Sequence, residues 1–298
     1  MTLPPYLKPG DTIGIVCPAG RLDAERAVAC IATLHDWGYK VRPGKTLGHA
    51  FHYFSGTDEE RLLDLQHMLD DPGIRAILCG RGGYGTSRII DRLDFSRFRS
   101  HPKWIIGYSD VTVLHSHLYA VLKTASLHAP MAGAFNEGGP AIESIRSALQ
   151  GSSTVITAPP YPANRAGVAE APLVGGNLSL LTHLIGTPSD VDTEGCILFL
   201  EDIGEYLYHI DRMLVQLHRN GKLSGLAGLV VGSFTELKDT VVPFGQTVTD
   251  IIMDKVSAYN YPVCFDFPVG HQEQNYALRV GMPYRLEVTP ENVHLSPL

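Results

Sequence analysis

Residues 74–93, IRAILCGRGGYGTSRIIDRL, read as a buried strand, a glycine-rich turn and a helix. The apolar run IRAILC (74–79) has the length of a strand covered on both faces. GRGGYG (80–85) supplies residues that accept positive φ, and TSRIIDRL (86–93) carries apolar residues at helical spacing. The same order follows at once in WIIGYS (104–109), a strand, and DVTVLHSHLYAVL (110–122), a helix. Upstream, TIGIVCPAG (12–20) reads as a strand with its exit loop. Residues 23–37 place Ala27, Cys30, Ile31 and Leu34 on one helical face, closed by Gly38, and 39–42 is a short strand. DEERLLDLQHMLD (58–70) opens with acids that suit a helix N-terminus, aligns Leu62, Leu65 and Leu69, and ends at Pro72-Gly73. Strands alternating with helices at this spacing predict βαβ units and an open, doubly wound parallel sheet, with ligands at the carboxyl ends of its strands.

The texture changes at GSSTVITAPPYPANRAG (151–167), rich in Ser, Thr, Pro and Gly, which reads as a linker. The predicted organisation is therefore a domain over 1–150, a linker over 151–167 and a second α/β domain over 168–298. In the latter, GGNLSLLTHLIGTP (175–188) reads as a loop and a short helix, and GCILFLED (195–202) as a strand. YLYHIDRMLVQLHRNG (206–221) reads as an amphipathic helix, LAGLVVG (226–232) as a strand, 245–258 as a helix and YPVCFDF (261–267) as a strand. YRLEV and VHLS, joined by TPEN, form a terminal hairpin.

The 298 residues carry 24 Lys and Arg against 31 Asp and Glu, a net charge of −7. With no basic run, neither nucleic acid nor an anionic membrane is an expected partner. The five cysteines, at 17, 30, 79, 196 and 264, show no CxxC spacing and mostly sit in apolar runs, which predicts buried thiols rather than disulfides or a structural zinc site. The N-terminus lacks a basic start and apolar h-region, and no apolar stretch is long enough to span a bilayer. A cytoplasmic protein is expected.

Three stretches carry candidate chemistry. Gly80, Gly82 and Gly85 match G-x-G-x-x-G between a strand and a helix, which permits a dinucleotide site. It equally permits a tight turn whose exposed N–H groups could face an oxyanion. IIGYSDVT (105–112) sets Ser109 at a strand-to-helix junction with Gly107 two residues earlier. That suits a strained nucleophile elbow, and it suits an ordinary N-cap. Val111 stands where the hydrolase elbow would have a second glycine. A serine nucleophile needs a base and an orienting acid. His271 follows a strand in PVGH, where an open α/β site draws its base. Glu201 closes the strand ILFLE, while Asp110, Glu205, Asp211 and Asp266 compete for the orienting role. There is no HExxH, and His115 and His117 lie two apart on a predicted helix, where they do not face each other and chelate one ion poorly.

Taken together, RGGYG (81–85), IGYSDVT (106–112), GGNLSLL (175–181), LFLEDIGEYLYHIDRML (198–214) and PVGH (268–271) resemble the LD-carboxypeptidase family over nearly the whole chain. The resemblance implies a flavodoxin-like open parallel sheet followed by a second α/β domain. It implies a Ser-Glu-His peptidase with Ser109 as nucleophile, Glu201 as acid and His271 as base, and with the N–H groups of Asp110 and Gly83 facing the oxyanion. Arg81 is the candidate partner for a substrate carboxylate, or else a tie within the protein. Neither cofactor nor metal is expected. The implied substrate is a murein tetrapeptide, cut before its terminal D-Ala during cell-wall recycling by a homodimeric enzyme. Two alternatives are an immunity-type peptidase cleaving aminoacyl-adenylate analogues, for which neither Trp37 nor Trp104 offers a loop platform, and a dinucleotide-binding protein using GRGGYG.

Overall fold

A computed structural model describes residues 1–152 and 154–298. Its strands are β1 (Thr12–Val16), β2 (Lys40–Pro43), β3 (Ile74–Cys79), β4 (Trp104–Gly107), β5 (Ser126–His128), β6 (Ile156–Ala158), β7 (Gly167–Asn177), β8 (Ile197–Ile203), β9 (Gly228–Thr235), β10 (Val263–Cys264), β11 (Leu278–Val280), β12 (Pro283–Val288) and β13 (Val293–Pro297). The helices are α1 (Val28–Asp36), α2 (Asp58–Asp70), α3 (Ser96–Ser100), α4 (Thr112–His117), α5 (Gly139–Leu149), α6 (Leu178–His183), α7 (Leu207–Arg219) and α8 (Val248–Val256). The chain divides into two compact units, Met1–Ser152 with Tyr276–Arg279, and Ser153–Asn275 with Val280–Leu298.

The first unit holds a six-stranded sheet in the order β11-β5-β4-β3-β1-β2. Strands β2-β1-β3-β4-β5 are parallel neighbours, the flavodoxin-like order. β1, β3 and β4 are apolar runs because their side chains are buried on both faces. Helix α2 spans residues 58–70, as its acids and leucines predict. Thr57 and Glu60 close its start in a reciprocal capping box, and Leu62, Leu65 and Leu69 are buried.

The second unit holds a seven-stranded sheet in the order β10-β9-β8-β7-β12-β13-β6. β10, β9, β8 and β7 run parallel, and β7, β12, β13 and β6 antiparallel, with the β12–β13 hairpin at the predicted place. Among the described residues no helix is long and apolar enough to cross a membrane.

Five local readings differ in whole or in part from the structure. Residues 86–93 form two 3-10 turns, Thr86–Arg88 and Ile90–Arg92, rather than an α-helix. Residues 110–122 are helical but change character, from a 3-10 turn (Ser109–Val111) through α4 to a π turn (Leu118–Leu122). Gly175-Gly176 is not a loop but the end of β7. A Cβ on Gly175 would lie 2.0 Å from the Phe199 carbonyl oxygen, so the close approach of β8 demands glycine there. The expected strand 261–267 shrinks to β10, because Asp266 turns the backbone to φ 55°. Part of the stretch read as a linker, 151–167, is strand β6; Ser153 within it lies outside the described residues.

Candidate active site

In the first unit β4 ends at Gly107, and Ser109 follows in the left-handed region, φ 62°. A residue with a Cβ pays about 1–2 kcal/mol for that conformation. Tyr108, not Ser109, occupies the N-cap position of the turn, and no side chain caps it. Capping therefore does not account for a serine at this position. Strain of this kind is typical of functional positions.

The strand end is held from beneath. His115 is fully buried, and its Nε2–H donates to the Gly107 carbonyl at 2.8 Å, while Ser126 Oγ lies 2.8 Å from Nδ1. A carbonyl can only accept, so the Nε2–H tautomer is fixed and the Ser126 hydroxyl donates to Nδ1. Burial pushes His115 down to about 4, against the carbonyl bond, so the ring stays neutral.

The glycine-rich turn packs against this serine. A Cβ on Gly82 would sit 2.9 Å from Ser109 Cβ and 3.0 Å from its Oγ. Gly83 has φ 96°, and a Cβ there would meet Tyr53 Oη at 2.6 Å. The N–H groups of Gly83 and of Asp110 meet no acceptor among the described residues. For Asp110 the reason is its place in the first turn.

Two buried charges brace the turn. Asp110 Oδ2 accepts from the Thr86 N–H at 2.9 Å. Burial raises the Asp110 pKa, opposed by hydrogen bonds from Thr86 and Gly85 and by the Arg61 charge. Arg61, fully buried, donates to the carbonyls of Pro18, Gly85 (3.0 Å) and Gly56 (3.3 Å) and pairs with Asp58. Nothing in the local pattern of α2 singles Arg61 out. Its role comes from the carbonyls that the two loops turn inward.

Arg81 is exposed and donates from Nη1 to the Arg21 carbonyl at 3.1 Å. It lines a cavity of about 300 Å³ with Arg26, Gly80, Tyr108 and Met131. Since the turn leads into 3-10 turns, the helix N-terminus that a dinucleotide pyrophosphate requires is missing at GRGGYG.

In the second unit β8 ends in Glu201 and Asp202. His271 Nδ1 lies 2.6 Å from Glu201 Oε2; the Glu201 side chain is 0% exposed and that of His271 13%. The carboxylate accepts, so Nδ1 carries the proton and Nε2 the lone pair. Burial works against protonation of His271. The hydrogen bond and charge of Glu201, with the charges of Asp202 and Glu236, outweigh it and raise the pKa above the ordinary histidine value.

Gly270 makes this closeness possible. A Cβ there would stand 2.6 Å from Glu201 Cβ and 2.8 Å from Oε2. Asp202 accepts from Asn177 Nδ2 (2.9 Å), Ser179 N (2.9 Å) and Ser179 Oγ (2.8 Å), and so ties β8 to the start of α6. The other candidate acids go elsewhere. Glu205 pairs with His209 at 2.8 Å, Asp211 with Lys255 at 3.1 Å, Asp110 braces the glycine-rich turn, and Asp266 lines a separate cavity. Among the described residues no three His, Cys, Asp or Glu side chains gather as a metal site.

Two family models match the chain: the LD-carboxypeptidase N-terminal domain over residues 13–129 and the C-terminal domain over 170–286. A probable murein peptide carboxypeptidase of Bacillus subtilis is 36% identical, over 93% of this chain and 89% of its own length. The chain belongs to the LD-carboxypeptidase family. It is thus an enzyme, a serine-type carboxypeptidase. Among solved structures, the muramoyltetrapeptide carboxypeptidase from Oxalobacter formigenes matches this family member with a TM-score of 0.86 and 29% identity, covering 96% of this chain and 98% of that one. The microcin C7 self-immunity protein of Escherichia coli is 25% identical over 96% of this chain and 93% of its own length.

Proposed function

We propose that this carboxypeptidase releases the terminal D-Ala of a murein tetrapeptide, with Ser109 as nucleophile, His271 as general base and Glu201 as the acid that orients it. The observation that carries the assignment is the buried His271–Glu201 bond of 2.6 Å, which presents Nε2 as the basic nitrogen. The left-handed backbone of Ser109 at the carboxyl end of β4 supports its place as nucleophile. The relatives named for murein peptides support the substrate.

In the proposed reaction Nε2 takes the Ser109 hydroxyl proton as Oγ attacks the carbonyl carbon before D-Ala. The N–H groups of Gly83 and Asp110 stabilise the resulting oxyanion, each such donor contributing about 2.7–4 kcal/mol in comparable sites. The C–N bond breaks, and the imidazolium returns its proton to the departing amine of D-Ala. Water, deprotonated by the same Nε2, then hydrolyses the acyl-enzyme. Arg81 in this reading holds the terminal carboxylate of the substrate, to which a guanidinium can offer two parallel N–H bonds.

The same reading places the enzyme in the cytoplasm, consistent with five buried free cysteines, and makes it a homodimer. Incubation with a disaccharide- or UDP-linked tetrapeptide tests it: mass spectrometry should show loss of one D-Ala and no further shortening. An intact tetrapeptide after prolonged incubation refutes the proposal. Analytical ultracentrifugation tests the dimer.

A further inference from the structure

Beside His271 lies a cavity that the catalytic groups do not use. Its volume is about 440 Å³, within the range of about 300–1,000 Å³ typical of small-ligand sites. Phe234, Leu237 and Phe265 are among its apolar lining, and Ser233, three threonines, Gln272 and Asp266 among its polar lining. Two of these connect it to the base: Gln272 is the next residue after His271, and Thr235 Oγ1 donates to the His271 carbonyl at 3.1 Å.

Asp266 is an unusual wall residue. It is the one exposed position between Tyr261 and Gly270, in a run otherwise buried. Its backbone is left-handed, φ 55°, which breaks the extended run after β10. It enters no ion pair among the described residues, and no Lys, Arg or His lines the cavity. A cavity that pairs aromatic and aliphatic lining with one carboxylate and no cation fits an alkyl chain that ends in a cation.

We propose that this cavity is the subsite for the diamino-acid side chain preceding the scissile bond, with Asp266 pairing its terminal ammonium. The assignment rests on the peptidase reading above and makes Asp266 a specificity residue. The stem would lie on Phe234, Leu237 and Phe265, while Asp266 rejects a neutral terminus by leaving the carboxylate unpaired.

The test compares two free tetrapeptides, one with lysine and one with Nε-acetyl-lysine at the third position. The wild-type enzyme should show a kcat/KM about tenfold higher on the lysine peptide, as expected for a partly screened ion pair. In Asp266→Asn the ratio should fall to about one, through loss on the lysine peptide alone. Asparagine accepts the left-handed backbone, so the fold should persist. Asp266→Gly, which adopts φ 55° without strain, should give the same result. An unchanged ratio in both variants, or a wild type indifferent to acetylation, overturns the subsite while leaving the peptidase reading intact. Failure of the wild type to release D-Ala from either peptide overturns the peptidase reading itself, and the subsite with it.

Discussion

Replacing Glu201 by Gln removes one charge and almost no volume from the centre of the proposed base. In the wild type Oε2 accepts from His271 Nδ1 at 2.6 Å, and Oε1 is buried without a partner. An amide can turn either way in that space. With its oxygen toward Nδ1 the tautomer is kept, and only the charge assistance is lost, worth about 1.5–3 kcal/mol, or roughly 10- to 150-fold in kcat. With its NH2 group toward Nδ1 the ring must carry its proton on Nε2, and the base is abolished, a loss of about 10⁴-fold in the corresponding substitution of a serine protease.

The pH profile separates charge loss from unfolding. His271 titrates above its ordinary value because Glu201, Asp202 and Glu236 outweigh burial. Only neutral imidazole accepts the Ser109 proton, so wild-type kcat/KM should rise with pH through a limb lying above about 6.5. In Glu201→Gln, burial remains and the nearest charge is gone, so the limb should move to lower pH. The same linkage acts on stability. The imidazolium–carboxylate pair stabilises the fold below the unfolded histidine pKa, and that contribution is lost as pH rises through the raised folded value. The stability gap between wild type and variant in urea should therefore narrow from acid to alkaline pH. D-Ala release within threefold of wild type, with an unmoved acid limb, refutes the role given to Glu201.

Ser109→Ala should abolish turnover while leaving the unfolding midpoint close to wild type; wild-type turnover would remove Ser109 from the mechanism. Ser109→Gly should be equally inactive yet melt no lower, since glycine relieves the φ 62° strain, and a clear fall in Tm would argue against that strain. Arg61→Met should destabilise the first unit by about 3 kcal/mol or more, read from urea unfolding, because it leaves the buried carbonyls of Pro18 and Gly85 without their donor. D-Ala release should survive prolonged EDTA or phenanthroline treatment, and loss restored by zinc would count against a serine mechanism.

The first sheet was legible because parallel strands buried on both faces must be continuous apolar runs; the sequence marks β1, β3 and β4 that way. Helix α2 was legible through its acidic first turn and leucine spacing. Two features that the sequence reading does not single out lie where a residue answers to a neighbour distant in sequence. Gly175 is glycine because of the Phe199 carbonyl, and Arg61 is arginine because of Pro18 and Gly85. Neither partner can be inferred from local periodicity.

The candidate site divides along the same line. Serine is favoured both at N-caps and at elbows, so the segment GYSD admits either reading; a φ of 62° with no capping bond separates them. Five acids compete for His271 on residue type alone, and the partner each one meets sorts them. Glu201 lies on the buried strand β8, where an unpaired carboxylate is costly, and it is bonded to the imidazole. Asp266 lies just past β10, exposed and without an ion pair among the described residues. A carboxylate already bonded to a ring nitrogen is suited to orienting it. One that lines a cavity with no cation in its walls is suited to receiving a charge from outside, and that division of labour is what the glutamine and asparagine substitutions at 201 and 266 set apart.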